Sequence, residues 1–214
     1  FIIGHTSTSV SLASGMAKAR DLNGEKYNVI AIIGDGSLSG GEAFEGLDYA
    51  AELNSNMIVI VNDNQMSIAE NHGGIYKNLA LLRETNGCAE CNLFKAMGFD
   101  YMYIANGNNI EVLINAFNEI KDCNHPIVVH INTLKGKGYK PAEDNKESWH
   151  FCSPFDIESG KPQQSGGKSI DYQTLTADYL LDRMKTDKSI VAITAGTPTV
   201  MGFDAKRREK AGEQ

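Results

Sequence analysis

Long hydrophobic runs are missing from this chain: its apolar stretches, such as Met57 to Val61 and Pro126 to Val129, fall far short of the roughly 20 residues that cross a bilayer, so no membrane partner is expected. Basic charge is short too. Twenty Lys and Arg stand against 27 Asp and Glu, a net charge of -7 with both signs scattered, which leaves no basic patch for nucleic acid and no polybasic anchor. The ligands expected are small and bring their own neutralising cation. Cysteine is scarce, four in 214 residues with no secretory leader before them, and a reducing cytoplasm is expected. Cys88 and Cys91 form a lone CxxC, but structural zinc wants four ligands and no second pair completes the set, so the pair reads as coincidence in a loop. The chain opens at Phe1 without an initiator Met and closes in a charged tail from Asp204 to Gln214, and it is expected to be a piece of a larger protein.

What is present is enough apolar content, 42%, to bury a core, arranged in a repeating pattern. Short Val- and Ile-rich runs at Val29 to Ile33, Met57 to Val61, Tyr101 to Ala105, Ile127 to Asn132 and Ile190 to Thr194 read as strands. Between them Val10 to Leu22, Gly41 to Leu53, Leu93 to Met97 and Ile110 to Lys121 have helical spacing. Alternation of this kind predicts an α/β fold, a doubly wound parallel sheet with helices on both faces, whose ligands bind beyond the carboxyl ends of the strands. A polar stretch from Glu158 to Lys168 reads as a linker. Beyond it the helix Tyr172 to Met184 and the strand at Ile190 read as the start of a second α/β domain.

Straight after the first strand comes Gly34-Asp35-Gly36-Ser37-Leu38-Ser39-Gly40-Gly41, and then a helix. Glycines let the backbone approach a bulky ligand, N-H groups at a helix mouth suit a diphosphate, and Asp35 offers the hard oxygen that Mg²⁺ prefers. Alone, the motif also fits a tight turn. The next strand, however, ends in Asn62-Asp63-Asn64-Gln65-Met66, and one helix, one strand and their turns separate Asp35 from Asn64, the spacing that lets two loops clasp one metal. The opening Gly4-His5-Thr6-Ser7-Thr8-Ser9 precedes a helix that its hydroxyls can cap. Lys135-Gly136-Lys137-Gly138-Tyr139 follows a strand and by itself fits a solvated loop. His150, between Trp149 and Phe151, by itself reads as a structural residue. His130, alternating with apolar residues in a strand, reads as structural, and His125 as part of a turn; His72 is left without a role.

The segments GDGSLSGGEAFEGL and IVNDNQMSI resemble the thiamine-diphosphate motif in the form found in 1-deoxy-D-xylulose-5-phosphate synthases. The likeness runs from Gly4 to about Thr194. It implies the thiamine-diphosphate-binding fold, with a diphosphate domain over residues 1–157, a linker at 158–168, and the beginning of a pyrimidine-binding domain at 169–214. It also implies Mg²⁺ held by Asp35, Asn64 and the backbone carbonyl of Met66, and diphosphate contacts from Gly36 and Ser37. GHTSTS resembles the segment whose first three residues, here Gly4, His5 and Thr6, contact the cofactor. KGKGYKPAE matches a segment whose Tyr, here Tyr139, lies against it. The Trp-His and Phe-Asp pairs resemble a segment that brings a His into the active site, a role carried to His150, whose imidazole suits proton shuttling near neutral pH; His5 is the second catalytic candidate.

The activity implied is condensation of pyruvate with D-glyceraldehyde 3-phosphate to 1-deoxy-D-xylulose 5-phosphate and CO₂, by an enzyme whose relatives are homodimers. Two departures stand out: Gln65 occupies a position where Glu is usual, and only Ile75 to Cys91 fills a stretch where typical members carry a much longer insertion. The Glu that activates the cofactor's aminopyrimidine ring has no match in this chain, so the chain by itself is expected to be inactive. A transketolase-like ketol transferase and a non-catalytic phosphate-binding α/β module are the competing readings.

Overall fold

Four short runs, three rich in Val and Ile and one in Tyr, form the parallel strands of one sheet in the computed structural model: β1 (Ile30–Gly34), β2 (Ile58–Asp63), β3 (Asp100–Ile104) and β4 (Ile127–Asn132). Their order across the sheet is β1-β2-β4-β3. The structure describes residues 4–163, 171–194 and 196–214. These fold as two units, one within Phe1–Ser67 and Asn71–Lys137, the other within Ile68–Glu70 and Gly138–Gln214.

The strand order decides where the helices of the first unit lie. Crossovers from β1 to β2 and from β2 to β3 run in one direction across the sheet, and the crossover from β3 to β4 runs back. With right-handed connections, this sends the first two sets of helices to one face and the last to the other. Helices α3 (Gly41–Glu52), α4 (Gly74–Glu84) and α5 (Leu93–Met97) accordingly supply Leu47, Leu79 and Phe94 to the core around Val59, Val61 and Val128, and α1 (Ser9–Leu22), which precedes β1, adds Val10 to the same core. Leu113, Ala116 and Phe117 of α6 (Ile110–Ile120) pack on the opposite face, against Ile58, Ile60, Val129 and Ile131. The expected doubly wound parallel sheet is therefore what forms. Ile30 and Ile32 pair in register with Ile58 and Ile60 yet remain 52% and 65% exposed, because the α6 cluster ends at β2.

Local signals set the boundaries. Asn92 accepts the N-H groups of Phe94 and Lys95 to start α5, and left-handed Gly98 ends it; Asn109 caps α6 in the same way. Thr8 stands at the N-cap of α1 without a side-chain cap bond, since its backbone is already αR and its hydroxyl turns back to the His5 carbonyl. The expected hydroxyl cap is not made. Helix α4 was not anticipated, although Ile75, Leu79 and Leu82 bury one side of it at helical spacing. Cys88 and Cys91 are free and exposed, and no group of three or more His, Cys, Asp or Glu gathers as a metal set among the described residues. No helix among them is long and apolar enough to cross a membrane.

The second unit holds α7 (Lys140–Asp144), α8 (Tyr172–Met184) and α9 (Ala205–Ala211). Arg208 of α9 clasps both oxygens of Glu147, at 3.0 and 2.9 Å. Residues 158–163 of the expected linker close a hairpin in which Phe155 bridges Pro162 and Asp156 accepts from Ser159; 164–168 lie outside the described residues. The strand expected at Ile190 to Thr194 does not form. No strand lies beside it among the described residues, and its backbone is served by Gln214: the Ala192 N-H donates to the Gln214 carbonyl and the Gln214 side chain donates to the Ile190 carbonyl.

Candidate cofactor site

The carboxyl ends of β1 and β2 lie within one residue of each other, with Gly34 paired to Asn62, so the chain leaves the sheet at Asp35 and at Asn64 on neighbouring strands. Asp35 opens a single helical turn, α2 (Asp35–Leu38), and is 1% exposed. Burial, and then the neighbouring Asp63 carboxylate, push Asp35 up to about 6, against the backbone N-H groups of Asn64 and Gly36 that favour its charge. Its Oδ2 accepts from Asn71 Nδ2 at 2.7 Å. A cation against Asp35 would offset both effects, since opposite charge favours the ionised carboxylate.

The two loops touch. A Cβ on Gly36 would come within 2.8 Å of the Cβ and Oγ of Ser67, so only glycine lets the loop after β1 approach the loop after β2 this closely. The third expected segment joins them: Ser7 Oγ donates to the Ser37 carbonyl at 2.7 Å, and Gly40 leaves no room for a Cβ beside Ser7. Gly4, His5 and Thr6 precede that anchor and are exposed. His5 Nδ1 lies 2.6 Å from the Thr6 carbonyl, an oxygen that only accepts, so a neutral His5 keeps its proton on Nδ1 and presents a basic Nε2.

The loop after β2 is a double turn. Asp63 Oδ1 accepts the Gln65 N-H at 3.0 Å and Asn64 Oδ1 accepts the Met66 N-H at 3.2 Å, around a Gln65 held at φ 68°. An amide oxygen has two lone pairs, so Asn64 Oδ1 keeps one for a further partner. Asp63 itself is fully buried. Burial works against its charge, but His130, bonded through Nε2 at 2.9 Å, and Arg83 outweigh it and hold the carboxyl below the usual carboxylate range. Tyr101 Oη lies 2.8 Å from His130 Nδ1, and burial pushes the Tyr101 phenol up, so it stays a donor.

The structure therefore brings Asp35, Gly36, Ser37, Asn64 and Met66 together with the GHTSTS loop in the first unit. Tyr139 and His150 belong to the second. There Tyr139 meets Trp149 edge to face and Phe155 at a tilt, at ring separations of 5.1 and 5.7 Å, and donates its hydroxyl to the Ile157 carbonyl; His150 is exposed. Sequence reasoning missed Asn71, Asp63, Arg83 and Tyr101 and gave His130 only a structural part. The available signal was a lone polar residue in the apolar run Ile127 to Ile131, where alternation along β2 and β4 puts His130 on the face shared by Val61 and Asp63.

A family model described as 1-deoxy-D-xylulose-5-phosphate synthase matches residues 1–92 and 85–133. The 1-deoxy-D-xylulose-5-phosphate synthase of Chlorobaculum tepidum is 38% identical over 244 residues, covering 95% of this chain and 38% of that protein. That of Listeria monocytogenes is 40% identical over 205 residues, covering 92% and 34%. The chain thus spans little more than a third of the length of these curated relatives. Among solved structures, a transketolase from Campylobacter jejuni superposes with a TM-score of 0.50 at 25% identity, over 66% of this chain and 21% of that one.

Proposed function

The chain belongs to the 1-deoxy-D-xylulose-5-phosphate synthase family, and on that premise we propose that it forms the diphosphate- and Mg²⁺-binding part of an enzyme that joins pyruvate to D-glyceraldehyde 3-phosphate, releasing CO₂ and forming 1-deoxy-D-xylulose 5-phosphate for isoprenoid synthesis. The observation that supports the reading most directly is the placement of Asp35: a buried carboxylate at the carboxyl end of β1, whose charge burial and the neighbouring Asp63 disfavour, beside the loop that carries Asn64 and Met66. The donor set fits Mg²⁺. One carboxylate, the free lone pair of Asn64 Oδ1 and the Met66 carbonyl are hard oxygens, and Mg²⁺ is ordinarily completed by phosphate oxygens and water rather than by a protein cage. That chemistry also explains why no cluster of acidic, His and Cys side chains is needed among the described residues.

Thiamine diphosphate, when bound, supplies the carbanion equivalent that permits loss of CO₂ from a 2-oxo acid and addition to an aldehyde. The chain's own part is to bind and orient it. Gly36 and Ser37 offer donors to the diphosphate at the mouth of α2, and Gly4, His5 and Thr6 lie in a loop fixed to them through Ser7. Tyr139, braced by Trp149 and Phe155, provides a ring for the cofactor to lie against. His150 holds or moves a proton near the reacting atoms, with His5, basic at Nε2, as the second such group. The division into a diphosphate domain at 1–157, a linker at 158–168 and a pyrimidine-binding domain from 169 belongs to the same proposal. So do a homodimer, carried by the resemblance, and a cytoplasmic setting, supported by four free cysteines.

The test is to assay the complete protein that carries this chain with pyruvate and glyceraldehyde 3-phosphate. The reading expects CO₂ and 1-deoxy-D-xylulose 5-phosphate in equal amounts. No CO₂ from that pair, with ketol transfer from a sugar phosphate instead, would replace it by the transketolase-type activity that the Campylobacter likeness favours.

A further inference from the structure

We infer that Asp63 is a positioning residue for the metal loop, and that His130, Arg83 and Tyr101 act through it to fix Asn64 and Met66 in the one conformation that suits Mg²⁺. The inference rests on the proposed role of Asn64 and Met66 as metal ligands. It concerns what holds them there.

Gln65 sits between the two ligands at φ 68°, a left-handed conformation that a non-glycine residue adopts at a cost of order 1 kcal/mol. Something must hold it, and what the structure shows is the bond from the Gln65 N-H to Asp63 Oδ1. That bond is as fixed as the Asp63 carboxylate. Its other oxygen takes Arg83 from the last turn of α4 and His130 from the centre of β4, while His130 is in turn tied to Tyr101 on β3. The required tautomer is consistent throughout: Tyr101 O-H donates to His130 Nδ1, and His130 Nε2-H donates to Asp63. Phe94 of α5 stacks on the Tyr101 ring at 5.8 Å and 12°, closing the support. Elements α4, α5, β3 and β4 thus converge on one carboxylate whose remaining oxygen sets the turn.

A buried ionic cluster is no cheaper than apolar packing of the same volume, and Val59, Val61 and Val128 show that apolar packing was available on this face. The network is better accounted for by what it specifies. Mg²⁺ demands near-octahedral geometry and short bonds, whereas Ca²⁺ accepts irregular sets, so a loosened ligand loop loses Mg²⁺ before it loses Ca²⁺.

The experiment is calorimetric titration of the complete protein with Mg²⁺ and with Ca²⁺, each in the presence of thiamine diphosphate, alongside thermal unfolding of the metal-free protein. Tyr101→Phe keeps the ring stack and removes only the hydroxyl; Asp63→Ala removes the turn bond and serves as the severe variant. Tyr101→Phe is expected to weaken Mg²⁺ roughly tenfold, as loss of an outer support of a metal ligand commonly does, with Ca²⁺ changed much less. An unchanged Mg²⁺ to Ca²⁺ ratio in Tyr101→Phe, with only the unfolding midpoint lowered, would make the network merely structural and overturn the inference. Asp35→Ala separates the two levels. If it abolishes Mg²⁺ binding while Tyr101→Phe leaves the ratio intact, the metal site stands and the inference falls; if the wild-type protein shows no Mg²⁺-dependent binding, both fall.

Discussion

Asp35→Asn should stabilise the metal-free protein at about pH 8 and at the same time abolish Mg²⁺-dependent binding of thiamine diphosphate. The magnitude follows from the site. Asp35 is 1% exposed and is raised from 3.8 to about 6, by burial first and by Asp63 second. Because the folded value lies above the unfolded one, the fold holds the proton more tightly than the unfolded chain does. The favourable contribution is complete below about pH 4 and is lost as pH rises through about 6, a difference of about 3 kcal/mol at 1.36 kcal/mol per pH unit. A neutral Asn escapes that loss. It also gives up one acceptor, and the bond from Asn71 at 2.7 Å lands on the oxygen that becomes an NH₂, a setback of about 1 to 2 kcal/mol. The net gain expected at pH 8 is therefore about 1 to 2 kcal/mol, read as a higher urea midpoint. It should vanish or reverse near pH 4, where the wild-type Asp35 is itself protonated. A variant no more stable than wild type at pH 8, or one whose stability falls between pH 4 and 7 as steeply as that of wild type, would refute the reasoning.

Gly36→Ala should drive apart the two loops it joins, because the new Cβ meets Ser67 Cβ at 2.8 Å and Ser67 Cα at 3.1 Å; about 1 to 3 kcal/mol of stability and most of the cofactor affinity should go, checked by unfolding and calorimetry. Asn92→Ala removes the cap of α5, two bonds at 3.0 and 3.2 Å, and should cost about 1 kcal/mol in an unfolding titration without changing Mg²⁺ affinity. His150→Ala in the complete protein should lower kcat by about 10²-fold or more, the range for loss of a general acid or base, while thiamine diphosphate still binds.

The parts of the fold that depend on neighbouring residues were legible. Strand β4 and helices α5 and α8 have the bounds their periodicity gives, and β1, β2 and β3 shift by two residues or fewer. What periodicity does not carry is pairing. The order β1-β2-β4-β3 depends on contacts between distant segments, and the apolar run at Ile190 has strand character but no neighbour to bond among the described residues. The site divides in the same way. Asp35 and Asn64 could be found because each follows a strand directly, inside a short motif. His130 and Tyr101 join the site only through register across β3 and β4, where Tyr103 pairs with His130 and Tyr101 with Val128. Asn71 reaches Asp35 through a loop that no local signal aims.

One cation held between two loops is the centre of the proposed site, and the direct measurement is anomalous scattering from crystals of the complete protein grown with thiamine diphosphate and Mn²⁺ in place of Mg²⁺. The prediction is one strong peak within about 2.3 Å of an Asp35 carboxylate oxygen, Asn64 Oδ1 and the Met66 carbonyl together, a normal bond length for a hard divalent cation. A peak elsewhere, or a bound cofactor whose diphosphate and metal leave Asp35 untouched, would contradict it.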